Sequence, residues 1–189
     1  MGWTSYRHDR GVGCASFLGT SLALCVLGAG CSSVPTEPVS LVDHSLWSTN
    51  LEASEDPFDD RPQEVTCSEL SYGQETTGGE ENFEVDTTRC DYLTVAQPSL
   101  APVAVGDTLH LRLWHFDLTA EEPAEAHAAL RLGDEVLWEE RIAIPNDATL
   151  LNPTWEAEHD FEEGEPLYFH LHNHGQNSWN LIELTVGGS

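Results

Sequence analysis

The sequence contains no lysine, and its seven basic residues are all arginines, set against 33 acidic residues. Its formal net charge is -26 at pH 7. A surface this acidic repels phosphate groups, so we expect no nucleic-acid partner and no electrostatic attraction to anionic lipid headgroups. The excess of acid is more typical of solubility at a salty or cation-rich cell surface than of a dedicated calcium site.

Motifs of the common enzyme classes are absent. Ser178 follows Asn177 and does not stand in a Gly-x-Ser-x-Gly elbow, and there is no glycine-rich phosphate loop or dinucleotide fingerprint. These absences favour a non-catalytic binding or structural module, and a metal-dependent enzyme stays the principal alternative.

Long hydrophobic runs are absent as well, apart from one at the N-terminus. Arg7 and Arg10 precede an uncharged apolar run from residue 12 to residue 30. A positive head followed by such a run is the pattern of an export signal. Because a run of this length nearly spans a bilayer, an uncleaved membrane anchor is the alternative.

The end of that run, Leu27-Gly28-Ala29-Gly30-Cys31, resembles the lipobox of bacterial prolipoproteins. The resemblance covers residues 1–32 only, and Gly28 stands where the family usually has leucine. It implies that residues 1–30 are a signal peptide and that an acylated Cys31 anchors the chain in a lipid bilayer. Ser32 in place of aspartate after the cysteine implies the bacterial outer membrane, on its periplasmic or cell-surface side. Simple secretion is the alternative.

Cysteine is scarce in the exported part of the chain. Of five cysteines, Cys14 and Cys25 leave with the signal peptide and Cys31 carries lipid, so Cys67 and Cys90 remain. An even pair in an exported protein predicts a disulfide. Two reduced metal-binding thiols are the competing interpretation.

Composition divides the exported chain into two parts. Residues 31–63 are rich in Ser, Pro, Glu and Asp, which predicts an acidic flexible tether with Asp59 and Asp60 in a solvated run. Residues 64–189 carry short apolar runs separated by turn residues, with Gly133-Asp134 as a hairpin turn. This pattern predicts an all-β domain, an antiparallel β-sandwich of about eight strands resembling a jelly roll. The expected strands are 65–71, 83–96, 107–118, 126–132, 135–144, 154–161, 166–173 and 178–186.

Histidines at every second position mark the strand 166–173. With Leu167, Phe169 and Leu171 facing the core, the opposite face carries Tyr168, His170, His172 and the nearby His174. The strand 107–118 likewise turns His110 and Trp114 away from its leucines. If the two strands are neighbours in one sheet, these side chains form one surface, which Trp179 joins from the following strand.

Distance restricts a metal site on that surface. Side chains two residues apart on a strand are about 7 Å apart, so His170 and His172, or His172 and His174, can share an ion. A third ligand then comes from elsewhere, and the candidates are His110, His115, His127 and Glu183. Two histidines on one strand with a third from its neighbour suit zinc or copper, and two histidines with a carboxylate suit iron.

Two further hypotheses compete with the metal site. Trp114, Tyr168 and Trp179 suit a glycan-binding face on which sugars stack, with histidine and asparagine as hydrogen-bond partners. Alternatively, the histidines are structural side chains packed under a loop. A cupin-like enzyme would need a glutamate shortly after the His-x-His pair, but Gly175, Gln176 and Asn177 occupy that region. The sequence therefore predicts an envelope-anchored binding or structural module whose ligand is a metal ion or a glycan.

Overall fold

Two antiparallel β-sheets make up the part of the chain that the computed structural model describes, residues 37–49 and 51–187. The predicted signal peptide and the predicted lipidation site Cys31 lie outside these residues. Within the described ranges, no helix has the length and apolarity needed to cross a membrane.

Seven strands form one sheet and four form the other. The first sheet has the order β2-β3-β11-β5-β8, with β1 paired to β11 and β9 paired to β5, and the second has the order β4-β10-β6-β7. The strands are β1 Val39–Ser40, β2 Tyr72–Thr77, β3 Glu80–Asp86, β4 Tyr92–Pro98, β5 Thr108–His115, β6 Ala124–Leu132, β7 Glu135–Ile144, β8 Thr149–Leu151, β9 Thr154–Glu156, β10 Pro166–Asn173 and β11 Ser178–Val186.

The strand order is that of a jelly roll. With β8 and β9 counted as one interrupted strand and the N-terminal β1 and β2 set aside, the eight remaining strands run 1-8-3-6 in one sheet and 2-7-4-5 in the other. The predicted fold class, an antiparallel β-sandwich of jelly-roll type, is therefore confirmed.

Alternation along the strands builds the core between the sheets. In β5, Leu111 and Leu113 are fully buried while Arg112 and Trp114 lie on the outer face. In β10, Leu167 and Phe169 point inward from the opposite sheet. Each such side chain contributes about 1.5–3 kcal/mol by leaving water, which makes a register slip costly.

The β6–β7 hairpin turns at the predicted position. Its two-residue turn is Gly133-Asp134, and Gly133 has a φ of 56°, in the left-handed region that glycine adopts without a steric cost.

Two predicted strands differ from the observed ones near the disulfide. Residues 65–71 form no strand, and the predicted strand 83–96 is two strands, β3 and β4, which belong to different sheets. Thr88 donates its backbone N–H to Asp86, which closes the turn that separates them. Cys90 lies between this turn and β4, and it forms the predicted disulfide with Cys67, which precedes β2. The strand predicted at 154–161 continues only to Glu156.

The segment predicted as a tether is packed on the sandwich. Leu41 is fully buried, and Trp47 lies between the sheets with its ring 5.8 Å from Phe83 and 6.5 Å from Phe169. Ser48 exchanges backbone hydrogen bonds with Ala96 at 2.7 and 3.1 Å. The predicted flexible tether is therefore packed into the fold between Leu41 and Ser48, because a few large apolar side chains anchor a segment whose average composition is polar.

Candidate functional site

The predicted site residues are divided between the two sheets and the core. His110 and Trp114 lie on β5 of the seven-stranded sheet, whereas Tyr168 and His170 lie on β10 of the four-stranded sheet. The outer faces of the two sheets point to opposite sides of the sandwich, so the single surface expected from the sequence does not form. Trp179 is fully buried in the core and is no platform for a ligand.

A cluster of three histidines does form around a carboxylate on the outer face of the four-stranded sheet. Asp60 Oδ2 lies 2.8 Å from His127 Nδ1 and 3.2 Å from His172 Nδ1, and Asp60 Oδ1 lies 3.3 Å from His170 Nε2. His127 enters from β6, directly opposite His172 in the strand register. We call Asp60, His127, His170 and His172 the Asp–His cluster.

The segment carrying Asp60 also covers the cluster. Phe58 stacks on His170 with ring centroids 4.1 Å apart and planes tilted by 17°. Tyr92 from β4 meets His170 edge-on at 5.0 Å. As a result His170 is fully buried although its position in β10 faces outward.

In His170 and His127, the ring nitrogen that points away from Asp60 contacts a further polar side chain. His170 Nδ1 lies 3.0 Å from the hydroxyl of Thr94, and His127 Nε2 lies 3.3 Å from a carboxylate oxygen of Glu139. These contacts orient the rings so that the other nitrogen of each faces Asp60. Asp60 Oδ1 and His170 Nε2 are close to each other but poorly aligned, and neither has a hydrogen-bond partner among the described residues.

Electrostatics in the cluster favour an ionised aspartate beside a neutral imidazole. Burial acts to raise the pKa of the Asp60 carboxyl, but its contacts with the three imidazoles outweigh this and hold the pKa far below its ordinary value. Burial lowers the pKa of His170, and the neighbouring Asp60 carboxylate offsets that effect only in part. A neutral imidazole keeps a lone pair on one nitrogen.

Other predicted ligands stay outside the cluster. His174 is exposed, and its ring lies 4.6 Å from that of His172. His110 contacts Asn152 at 2.7 Å and Glu183 at 3.2 Å on the opposite sheet. His127, a candidate third ligand from the sequence, lies in the cluster. No spacing or motif pointed to Asp60, which lies 67 residues before His127 in the chain.

A groove of about 370 Å³ lies on the outer face of the seven-stranded sheet. Trp114 lies on one side of it, and the ring of Phe116 lies 4.3 Å from the Trp114 ring at an interplanar angle of 46°. Leu150 adds an apolar surface that is 48% exposed. The groove residues combine one aromatic ring with apolar, amide and charged side chains: Thr77, Gly78, Glu80, Asn82, Arg112, Trp114, Leu150, Asn180 and Ile182.

The charged side chains that line the groove are paired with opposite charges. Arg112 donates to both carboxylate oxygens of Glu80 at 2.9 and 3.1 Å and lies 3.4 Å from Glu183. The hydrogen bonds from this guanidinium lower the pKa of Glu80. Arg112 is therefore already paired and is not free to receive an anionic ligand.

Two amide side chains in the groove have unused hydrogen-bonding capacity. Asn180 is buried, and neither its Oδ1 nor its Nδ2 has a partner among the described residues, and the same holds for Oδ1 of Asn82. A buried amide without a partner costs about 1–3 kcal/mol. Because these atoms have almost no exposed surface, neighbouring side chains must shift before a ligand hydroxyl or an ordered water can reach them.

A second cleft, of about 520 Å³, lies where β7 and β9 approach each other. Its lining includes Trp155 and His159 together with three glutamates, Glu135, Glu156 and Glu158. It is larger than the groove beside Trp114, and its lining carries three carboxylates and no arginine.

No protein-family model matches the chain, and no curated protein matches it. Among solved structures, a carbohydrate-binding module described for specific mannan recognition, TmCBM27, aligns with a TM-score of 0.47 at 8% identity, over 82% of this chain and 98% of that one. The C-terminal CBM6 of LamC, a laminarinase from Zobellia galactanivorans, aligns with a TM-score of 0.39 at 15% identity, over 62% and 88%. Tailspike protein 4 of bacteriophage CBA120 aligns with a TM-score of 0.45 at 10% identity, over 79% and 21%. With TM-scores below 0.5, these matches assign neither a family nor a ligand.

Proposed function

We propose that this protein is a non-catalytic glycan-binding module, anchored in the bacterial envelope, that takes a neutral saccharide in the Trp114 groove. The observation that carries the proposal is the groove itself, where an accessible indole lies beside buried amides with unused hydrogen-bonding capacity. A pyranose ring has an apolar face of C–H groups and a rim of hydroxyls. An aromatic ring suits the face and amide groups suit the rim.

The negative charge of the protein restricts the kind of glycan that can bind in the groove. The chain carries a formal charge of -26, and Arg112 is already paired with two carboxylates. Uronic acid or sulfated polysaccharides would be repelled and would find no free cation in the groove. The ligand is therefore a neutral polysaccharide or oligosaccharide.

Binding to a panel of glycans tests the proposal. Affinity electrophoresis and titration calorimetry with neutral polysaccharides, such as mannan, laminarin and galactan, are compared with pectate as an acidic control. Trp114→Ala weakens binding of the retained glycan more than tenfold, because the stacking surface is lost. Trp114→Phe keeps part of the affinity and serves as a check on folding.

Trp155→Ala is the matched control. Trp155 lines the second cleft, so this variant keeps full affinity if the saccharide lies in the Trp114 groove. Loss of binding in Trp155→Ala with retention in Trp114→Ala moves the site to the second cleft, and absence of binding across the neutral panel rejects the function.

Anchoring through Cys31 is the second part of the proposal, and it is supported by the lipobox-like sequence ending at that residue. Labelling with a fatty-acid analogue in a bacterial host marks the wild-type chain and not Cys31→Ser. Ser32→Asp moves the labelled chain from the outer to the inner membrane fraction. An unlabelled wild-type chain in the culture medium shows simple secretion.

A further inference from the structure

The Asp–His cluster has the composition and spacing of a closed metal site. One donor atom from each of Asp60, His127 and His170 lies within 4.8 Å of the others. Ligand atoms around a tetrahedral zinc ion with bonds of about 2.0–2.1 Å are about 3.3 Å apart. His127 Nδ1 lies 2.8 Å from Asp60 Oδ2 and His170 Nε2 lies 3.3 Å from Asp60 Oδ1, so the two imidazoles approach different oxygens of the carboxylate. A rotation of the carboxylate would bring one oxygen and both nitrogens around a single ion.

The outer contacts of the histidines are those that metal ligands require. Thr94 holds Nδ1 of His170, and Glu139 lies beside Nε2 of His127. Such partners fix the tautomer and direct the other nitrogen to the ion. The directed nitrogen of His170 is fully buried and has no hydrogen-bond partner in the described part of the chain, as is also true of Oδ1 of Asp60.

We propose that Asp60, His127 and His170 bind one transition-metal ion, with zinc the preferred metal, and that His172 completes the coordination shell. His172 Nδ1 is 3.2 Å from the Asp60 carboxylate but lies outside the set of donor atoms that are all within 4.8 Å of one another, so its ring must shift to become the fourth ligand. Three imidazoles and one carboxylate satisfy four-coordinate zinc without water. The donors are too nitrogen-rich for calcium or magnesium, which take oxygen ligands.

Because other side chains cover the cluster, we assign the ion a structural role and not a catalytic one. Phe58 lies over His170, and the side chain of His127 is only 7% exposed. The side chains of His172 and Asp60 are only 16% and 18% exposed, which leaves little room for a substrate at the ion. Asp60 comes from the N-terminal segment, His127 from β6 and His170 from β10, so one ion fastens the segment to two strands of the sheet.

Metal analysis of the full chain, purified without a histidine tag, tests this proposal. Elemental analysis finds close to one zinc per chain. After dialysis against a chelator, addition of zinc raises the melting temperature by about 5–10 °C at a free concentration one hundred times the Kd. Calcium produces no rise.

Single substitutions distinguish zinc binding by the cluster from zinc binding by other histidines. His127→Ala and His170→Ala lose the zinc and its effect on melting, whereas His159→Ala, an exposed histidine in the second cleft, behaves as wild type. Cobalt substitution gives a second readout, because tetrahedral cobalt has intense visible absorption that these two variants lack.

A chelated wild-type chain that takes up no zinc and shows no change in melting overturns the proposal and leaves a hydrogen-bonded cluster. The proposal also fails if His170→Ala folds and binds zinc as tightly as wild type. Glycan binding is measured on the same samples. The Trp114 groove lies on the other sheet, so loss of the metal site and loss of the glycan site are distinguishable.

Discussion

Individual side chains around the N-terminal segment show how buried polar groups are stabilised in this protein. Asp56 has a side chain that is only 1% exposed, and it accepts hydrogen bonds from Arg61 at 2.9 Å and from the Tyr92 hydroxyl at 2.8 Å. Burial raises the pKa of Tyr92, so the phenol stays protonated and able to donate. A buried carboxylate is tolerated here because two donors compensate for its lost hydration.

Replacing Tyr92 by phenylalanine removes one of these donors without changing the packing of the ring. We expect a loss of about 1.5–3 kcal/mol in the free energy of unfolding, the range for a hydrogen bond to a charged group. Urea unfolding followed by tryptophan fluorescence measures it. Tyr168→Phe is the control, since the Tyr168 hydroxyl makes no hydrogen bond to a described residue. A Tyr92→Phe variant as stable as wild type contradicts the assignment of the Asp56 contact.

At the scale of elements, the β6–β7 hairpin depends on one backbone conformation. Gly133 has a φ of 56°, and a Cβ added there would lie 2.6 Å from Oε2 of Glu165. The Glu165 side chain can move away, so the backbone conformation accounts for most of the cost. Gly133→Ala is expected to lower stability by about 1–2 kcal/mol, and Gly133→Asn by less, because asparagine tolerates the left-handed region. Thermal unfolding of both variants ranks them, and equal stability of all three chains argues against this turn.

A second element-scale effect comes from the disulfide. The Cys67–Cys90 bond encloses the β2–β3 hairpin in a loop with a sequence separation of 23 residues. Cys67→Ser combined with Cys90→Ser is expected to cost about 3–4 kcal/mol in the chain-entropy model. Chemical unfolding compares the double variant with the oxidised chain. A change below about 1 kcal/mol would mean that the denatured state is already compact in this region.

At the scale of the whole molecule, residues 39–48 belong to the fold of the sandwich. Leu41 and Trp47 are part of the core, and β1 pairs with β11. A fragment of residues 64–189 is therefore expected to lose cooperative unfolding, whereas a fragment of residues 32–189 keeps it. Near-ultraviolet circular dichroism and a thermal scan distinguish the two. Cooperative unfolding of the shorter fragment at the same temperature would show that the segment is dispensable.

Local patterning alone predicts much of this sandwich. The leucines of β5 and β10 alternate with polar residues, and burial follows the alternation because successive side chains of a strand point to opposite faces. The Gly133-Asp134 turn and the Cys67–Cys90 pair are likewise recognisable from residue type and spacing. The polar composition around Leu41 and Trp47 predicted a flexible tether, whereas the burial of these two side chains depends on their own size and not on the average composition.

The sequence by itself determined which side of β5 and of β10 faces the core, the β-sandwich class and the disulfide, because these follow from period, turn chemistry and cysteine count. It did not identify Leu41, Trp47 and Trp179 as core residues. Only the tertiary structure decided which outward-facing residues meet. A jelly-roll chain crosses repeatedly between its sheets, so β5 and β10 face opposite sides and His110 is separated from His170. Asp60 reaches His127 from 67 residues away because the N-terminal segment lies across the four-stranded sheet. Such long-range contacts leave no local pattern in the sequence, since they depend on how distant segments pack.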